Sequence, residues 1–289
     1  MGSWSSQGLE VRVLAFSRFC AIPTSLILGY NFSVYQICDD LEAETLALST
    51  VVDSLDEEQW RAPTVAEGWD SHETVLHLGS TDLLCRVAVT DPKTFAAMRE
   101  SLANGEVSAH GLGGLEIQTM TGRQLWEWFL SGRVEMIEGL RNSDPKDRIT
   151  WLGPDIGARS LATSRLLETW THSHDLADTF GCYYPQTDRL RHIAHIGVVT
   201  REFSYINHGL SPPTQPMRVE LTSPSGGLWV WGSEDAADRV NSTAYEFCKV
   251  ITRRVPLHES EVETEGDLAA EWMRIAQPWI EPPRISDKA

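Results

Sequence analysis

One short stretch restricts this chain more than any other: Glu168 and His172, four residues apart in the segment from Arg165 to Asp178. At helical spacing, positions i and i+4 share one face, a turn apart. The same segment carries Leu166, Leu167 and Trp170, so its polar residues face a core rather than water. A buried charge needs a partner, and a divalent cation is a good one. An earlier segment, Glu73 to Gly79, sets His77 among Val75, Leu76 and Leu78. Two helices, one offering Glu-x-x-x-His and the other a lone His, make a two-His-one-carboxylate site only when packed side by side in a helix bundle. Pairs at this spacing also arise by chance on solvated faces; the apolar neighbours argue for the buried reading.

The rest of the chain fits such a bundle. From Val34 to Leu55, Ile37, Leu41, Leu48, Val51, Val52 and Leu55 recur at helical spacing. Asp70 with Glu73 reads as a capping box opening a helix that runs to about Thr90. Asp91-Pro92 opens another, and Gly105 to Gly114 reads as a loop. A third long helix is expected from about Thr121 to Arg141, with Leu125, Trp128, Phe129, Ile137 and Leu140 inside. A fourth spans about Ala158 to Phe180, with Gly181 as its stop. Beyond Tyr184–Thr187 the pattern changes. Leu190 to His208 reads as one helix, Met217–Thr222 and Leu228–Trp231 as a hairpin about Ser223–Gly227, and Thr243–Arg254 and Leu268–Ala276 as helices. The expected fold class is α+β. Residues 1–33 form a loosely ordered extension without chemistry, 34–184 a four-helix bundle, and 185–289 a small α+β domain.

Composition narrows the functions. A formal net charge of −17 leaves no basic stripe for nucleic acid and disfavours anionic membrane surfaces. The 5 cysteines are scattered without a Cys-x-x-Cys spacing, the pattern of a reducing compartment, so a cytoplasmic protein handling small molecules is expected. No run near the amino terminus reaches the ~20 apolar residues that span a bilayer. The sequons at Asn31 and Asn241 matter only if the chain is secreted. A homodimer is left open.

The motifs also carry a resemblance. Gly68-Trp69-Asp70 followed by His77-Leu78, then Glu168 to His172 and on to Asp175-Leu-Ala177, with Trp151 to Pro154 before the fourth helix, resembles the DinB-like superfamily. Within it the chain is most similar to mycothiol-dependent maleylpyruvate isomerases and to relatives labelled "wyosine base formation" proteins. The similarity runs from about Ile37 to Pro278 and includes the segments Trp229–Ala236 and Phe247–Arg253. The resemblance implies a DinB-like four-helix bundle in which His77, Glu168 and His172 hold a divalent metal. It places Asp175 behind His172, orienting the ring. The chain departs from the family pattern at His174, where a Trp or Gln is usual. It also departs at Asn241–Thr243, which replaces a glycine-containing turn, and in the extension before Val34.

Three protein ligands leave open positions, as in catalytic rather than structural sites. The metal, zinc foremost with nickel or iron as alternatives, would polarise a carbonyl or activate a bound thiol or water. By the resemblance, the expected function is an isomerase or thiol transferase acting on an unsaturated or carbonyl substrate. Its catalytic set is His77, Glu168, His172 and Asp175, and its thiol is an external low-molecular-weight one. Two alternatives stay open. One is a cofactor-free, pericyclic (Diels–Alder-type) cyclase of secondary metabolism, its pocket walled by Trp126, Trp128, Trp151 and Trp170, which otherwise read as core. The other is a non-catalytic metal-binding module with His174 or Asp175 as a fourth ligand. His72 points to another face of its helix, His192 and His195 read as a surface pair, and Asp82 would act as a base only if turned inward.

Overall fold

The structure is a computed structural model that describes residues 30–104, 106, 114–153 and 155–278. The extension expected over residues 1–33 lies outside the described residues up to position 29, as do most of the Gly105–Gly114 loop and the chain end. The described chain is α+β and divides into two compact units. One is Phe32–Pro185; the other runs from Gln186 onward and includes the segment ending at Asn31.

The first unit is a helical bundle. Its long helices are α1 (Val34–Val52), α2 (Ser71–Thr90), α5 (Gly122–Arg141) and α6 (Ala158–Phe180), with the shorter α3 (Pro92–Ala103) and α4 (Gly114–Gln118) between α2 and α5. Helix starts follow the local chemistry. The Ser33, Asp70 and Thr121 side chains each accept the backbone N–H three residues on, and the side chain at that third position accepts back. Helix α6 ends at Gly181, whose φ of 62° is left-handed, and the Cys182 N–H turns back to the Ala177 carbonyl at 2.8 Å. The most extensive pairings are α2 with α5 and α1 with α6. Between α2 and α5 the approach depends on a missing atom: a Cβ at Gly79 would lie 2.2 Å from Cζ3 of Trp128.

Helix α6 is buried along nearly its whole length, although it is rich in hydroxyls. Thr163, Thr169, Ser173 and Thr179 each donate to the carbonyl four residues back, so these groups enter the core already satisfied. The buried charges in this core meet at one carboxylate, although Arg133 Nη2 and Arg165 Nη2 are left without a hydrogen-bond partner among the described residues. Asp82 accepts from Arg133 Nε at 2.5 Å and from Arg165 Nε at 3.0 Å. Arg133 also donates to the Thr45 and Thr169 hydroxyls at 3.1 and 3.0 Å. This one cluster joins α1, α2, α5 and α6, with its three charged side chains only 1–4% exposed.

The second unit comprises α7 (Leu190–Val199), α8 (Arg201–Asn207), β1 (Met217–Thr222), β2 (Leu228–Trp231), β3 (Asp238–Thr243), α9 (Ala244–Ile251), β4 (Glu263–Glu265) and α10 (Asp267–Ile275). Four of its features extend or correct the sequence reading. The single helix expected over Leu190–His208 is broken at Thr200. The hairpin is half of a four-stranded sheet of order β2-β1-β3-β4, in which β1 pairs antiparallel with β2 and parallel with β3. Asn241–Thr243, which stands in place of the family's glycine-containing turn, ends β3 in register with Glu220–Thr222, and the Thr243 hydroxyl caps α9. His192 and His195 are buried rather than a surface pair. Tyr30 Oη bonds His192 Nδ1 at 2.8 Å, its ring stacks on His195 at 3.6 Å, and Trp231 Nε1 donates to His195 Nδ1.

Candidate metal centre

The capping box of Asp70 and Glu73 fixes where α2 begins, and His77 lies less than two turns inside it. His77 faces α6, where Glu168 and His172 stand one turn apart. His77 Nε2 lies 3.1 Å from Glu168 Oε2, and His172 Nε2 lies 3.6 Å from the same oxygen. One ligand atom from each of the three residues can be chosen so that all lie within 4.8 Å of one another. Two atoms bound to one zinc ion at 2.0–2.2 Å in tetrahedral geometry stand roughly 3.3 Å apart. Two imidazole nitrogens and one carboxylate oxygen at these separations fit a divalent ion of borderline softness. The side chains are 20%, 25% and 11% exposed for His77, Glu168 and His172, so the cluster is held by the core and remains reachable.

The protonation pattern follows from the surroundings. Burial pushes the His77 imidazole down to about 4, overriding the pull of Glu168, so it is neutral near pH 7. Burial alone would raise the Glu168 carboxyl. The hydrogen bonds and charges of His172 and His77 outweigh it and hold the group well below the usual carboxylate range. Burial likewise disfavours the charged form of His172, but the Asp175 and Glu168 carboxylates outweigh it and hold the pKa above the ordinary imidazole value. The His172 Nδ1–H donates to Asp175 Oδ2 at 3.0 Å, which turns Nε2 toward Glu168.

The structure thus brings His77, Glu168 and His172 together and sets Asp175 directly behind His172. His174 is elsewhere: its buried ring packs against Trp170 at 4.4 Å and Tyr184 at 4.7 Å. Asp82 is turned inward, but into the ion cluster with Arg133 and Arg165. His72 bonds the Met120 carbonyl at 3.0 Å. Of the four tryptophans considered as pocket walls, Trp126 and Trp170 are core, Trp151 stacks on Phe95, and Trp128 lies over Gly79. An aromatic at the site is Trp69, which the sequence places in the Gly68-Trp69-Asp70 motif without a role. Its indole stacks on His172 at 5.2 Å, nearly parallel at 14°, and meets His77 at 4.8 Å. The available signal was its place beside the Asp70 cap, one residue before the helix that carries His77.

Among the described residues no helix is long and apolar enough to cross a membrane. Comparison with known proteins bears on the family and the fold. Residues 41–177 match the family described as the mycothiol maleylpyruvate isomerase N-terminal domain, a span that contains the three clustered residues and Asp175. Two solved structures share the fold, a mycothiol-dependent maleylpyruvate isomerase and a histidine-to-alanine variant of one. Their TM-scores are 0.52 and 0.54 at 14% identity, covering 80% of this chain and 93% of theirs. The proteins named "Uncharacterized protein MT0041" and "Uncharacterized protein Rv0036c", from two strains of Mycobacterium tuberculosis, are 38% identical over 244 residues, 84% of this chain and 95% of each relative. With a family match over residues 41–177 and relatives 38% identical across 84% of its length, the chain belongs to the DinB-like superfamily of the mycothiol-dependent maleylpyruvate isomerases.

Proposed function

We propose that this protein is a small-molecule isomerase or thiol transferase in which His77, Glu168 and His172 hold one divalent metal ion, zinc foremost, with nickel or iron as alternatives. The observation that carries the reading is the convergence of the three ligand atoms within 4.8 Å in a partly exposed cluster. A bound ion of this kind lowers the pKa of a thiol or water and polarises a carbonyl oxygen. The residues of the chain prepare the place. His77, neutral near pH 7, offers a lone pair. Glu168 supplies the negative charge. Asp175 fixes the His172 ring so that Nε2 faces inward.

The thiol in this reading is external and of low molecular weight. Cys38, Cys85 and Cys248 are buried, burial pushes their thiols up (Cys38 to about 11), and no described cysteine joins the ligand cluster. The substrate class is a small unsaturated or carbonyl-bearing acid, a reading supported by kinship with an isomerase whose name specifies mycothiol and maleylpyruvate.

Elemental analysis of the purified protein beside His77→Ala and Glu168→Ala tests the metal. About one equivalent in wild type, lost in both variants, is expected. A folded wild type that takes up no metal after reconstitution would overturn the reading. Assay of the metal-loaded protein on maleylpyruvate, with and without mycothiol, then tests whether the reaction of the relative transfers to this chain.

A further inference from the structure

Asp175 fixes the His172 ring in one direction only. A hydrogen bond at Nδ1 sets where the ring edge points and leaves the ring free to swing about the axis of that bond. The indole of Trp69, nearly parallel to the imidazole, opposes that swing. It also meets His77, so one indole borders both imidazoles of the cluster. We infer that Trp69 is a positioning residue for the metal centre, setting the ring planes of His172 and His77.

The loop that carries Trp69 is built to hold it there. The Thr64 N–H donates to the Trp69 carbonyl at 2.8 Å, and the Thr64 hydroxyl donates to the same carbonyl at 3.0 Å. The Trp69 N–H turns back to the Ala66 carbonyl, and Pro63 and Asp70 bridge the base of the loop. One further bond ties the loop to α6: the Val65 N–H donates to Thr179 Oγ1 at 3.0 Å. Thr179 Oγ1 in turn donates to the backbone carbonyl of Asp175 at 2.6 Å. The contacts close a circuit: Trp69 on His172, His172 to Asp175, Asp175 to Thr179, Thr179 to Val65, and the loop back to Trp69. A single stacked pair is an incidental packing contact in many cores. Here the aromatic is fastened, through its own loop, to the residue that orients the same histidine.

This inference rests on the metal reading above, and its test separates the two. The protein is titrated with Co(II) and with zinc against a chelator, as wild type, Trp69→Ala, Trp69→Phe, Thr179→Val and His77→Ala. Visible absorption of bound Co(II) reports the coordination geometry without any substrate. Loss of an outer partner of a metal ligand costs about 10–100-fold in affinity. A loss of that size in Trp69→Ala is expected, with a changed Co(II) spectrum. Trp69→Phe should recover most of the affinity, and Thr179→Val should show a smaller loss in the same direction. Unchanged affinity and spectrum in Trp69→Ala, beside a wild type that binds and a His77→Ala variant that does not, would overturn the inference and leave the metal reading standing. If Trp69→Ala does not fold, Thr179→Val decides: unchanged binding there overturns the inference. A wild type no better than His77→Ala overturns the metal reading and this inference with it.

Discussion

Helices α2 and α6 carry two polar clusters about a turn apart, and the two are complementary in kind. His77 meets Glu168; five residues further along α2, Asp82 meets Arg165, three residues back along α6. The deeper cluster brings two guanidinium groups to one carboxylate and is sealed at 1–4% exposure. The shallower one gathers three electron-pair donors at 11–25% exposure. In a sealed cluster water cannot screen the charges, so Asp82 is the counter-charge on which both guanidinium groups depend. An open cluster of donors is suited to a cation from outside. The same pair of helices thus carries a lock and a socket, and the position of the opening distinguishes them.

The sharpest way to break this comparison is to exchange the consequences of mutation. His77→Ala should abolish stoichiometric metal while leaving metal-free thermal unfolding nearly unchanged; elemental analysis and a melting curve check both. Gross unfolding would mean that the shallow cluster is structural too. Asp82→Ala should do the reverse, stranding two buried guanidinium groups and destabilising the fold by about 3–5 kcal/mol in denaturant titration. Asp175→Ala sits between the two, with a metal affinity weakened about 10–100-fold in a folded protein. The smallest effect concerns protons. Metal displaces ligand protons. His77, pushed down to about 4, has none to lose near neutrality, whereas His172 is held above its ordinary value. Affinity should therefore fall with decreasing pH below the His172 pKa by about tenfold per unit, the signature of one proton rather than two. A chelator competition series over pH measures that slope.

The bundle was legible in the sequence because its boundaries are written in local chemistry. Asp70 with Glu73, Asp91-Pro92 and Gly181 each act on backbone groups a few residues away. Glu168 and His172 were legible for a related reason, since their spacing on one helix is fixed by the helix. Trp69 was not, because its value lies in a ring contact with a residue on another helix. Strand β3, Asp238 to Thr243, buries only Val240, and β4 buries none of its three residues, so neither shows the alternation that marks a strand. Both are held by pairing with neighbours distant in sequence. His192 and His195 read as a surface pair because nothing local reveals that Tyr30, far away in the chain, covers them. Asp82 shows the same limit, since its two arginines come from α5 and α6.

The contact between Gly79 and Trp128 has a consequence for protein design. Gly79 lies two residues beyond His77 and leaves room for an indole from α5. A designer who grafts His77, Glu168 and His172 onto another bundle copies the donors but inherits that bundle's interhelical distance. The portable unit includes the glycine and the tryptophan that set how near the His77-bearing α2 stands to α5, the helix that packs beside it and carries none of the three donors.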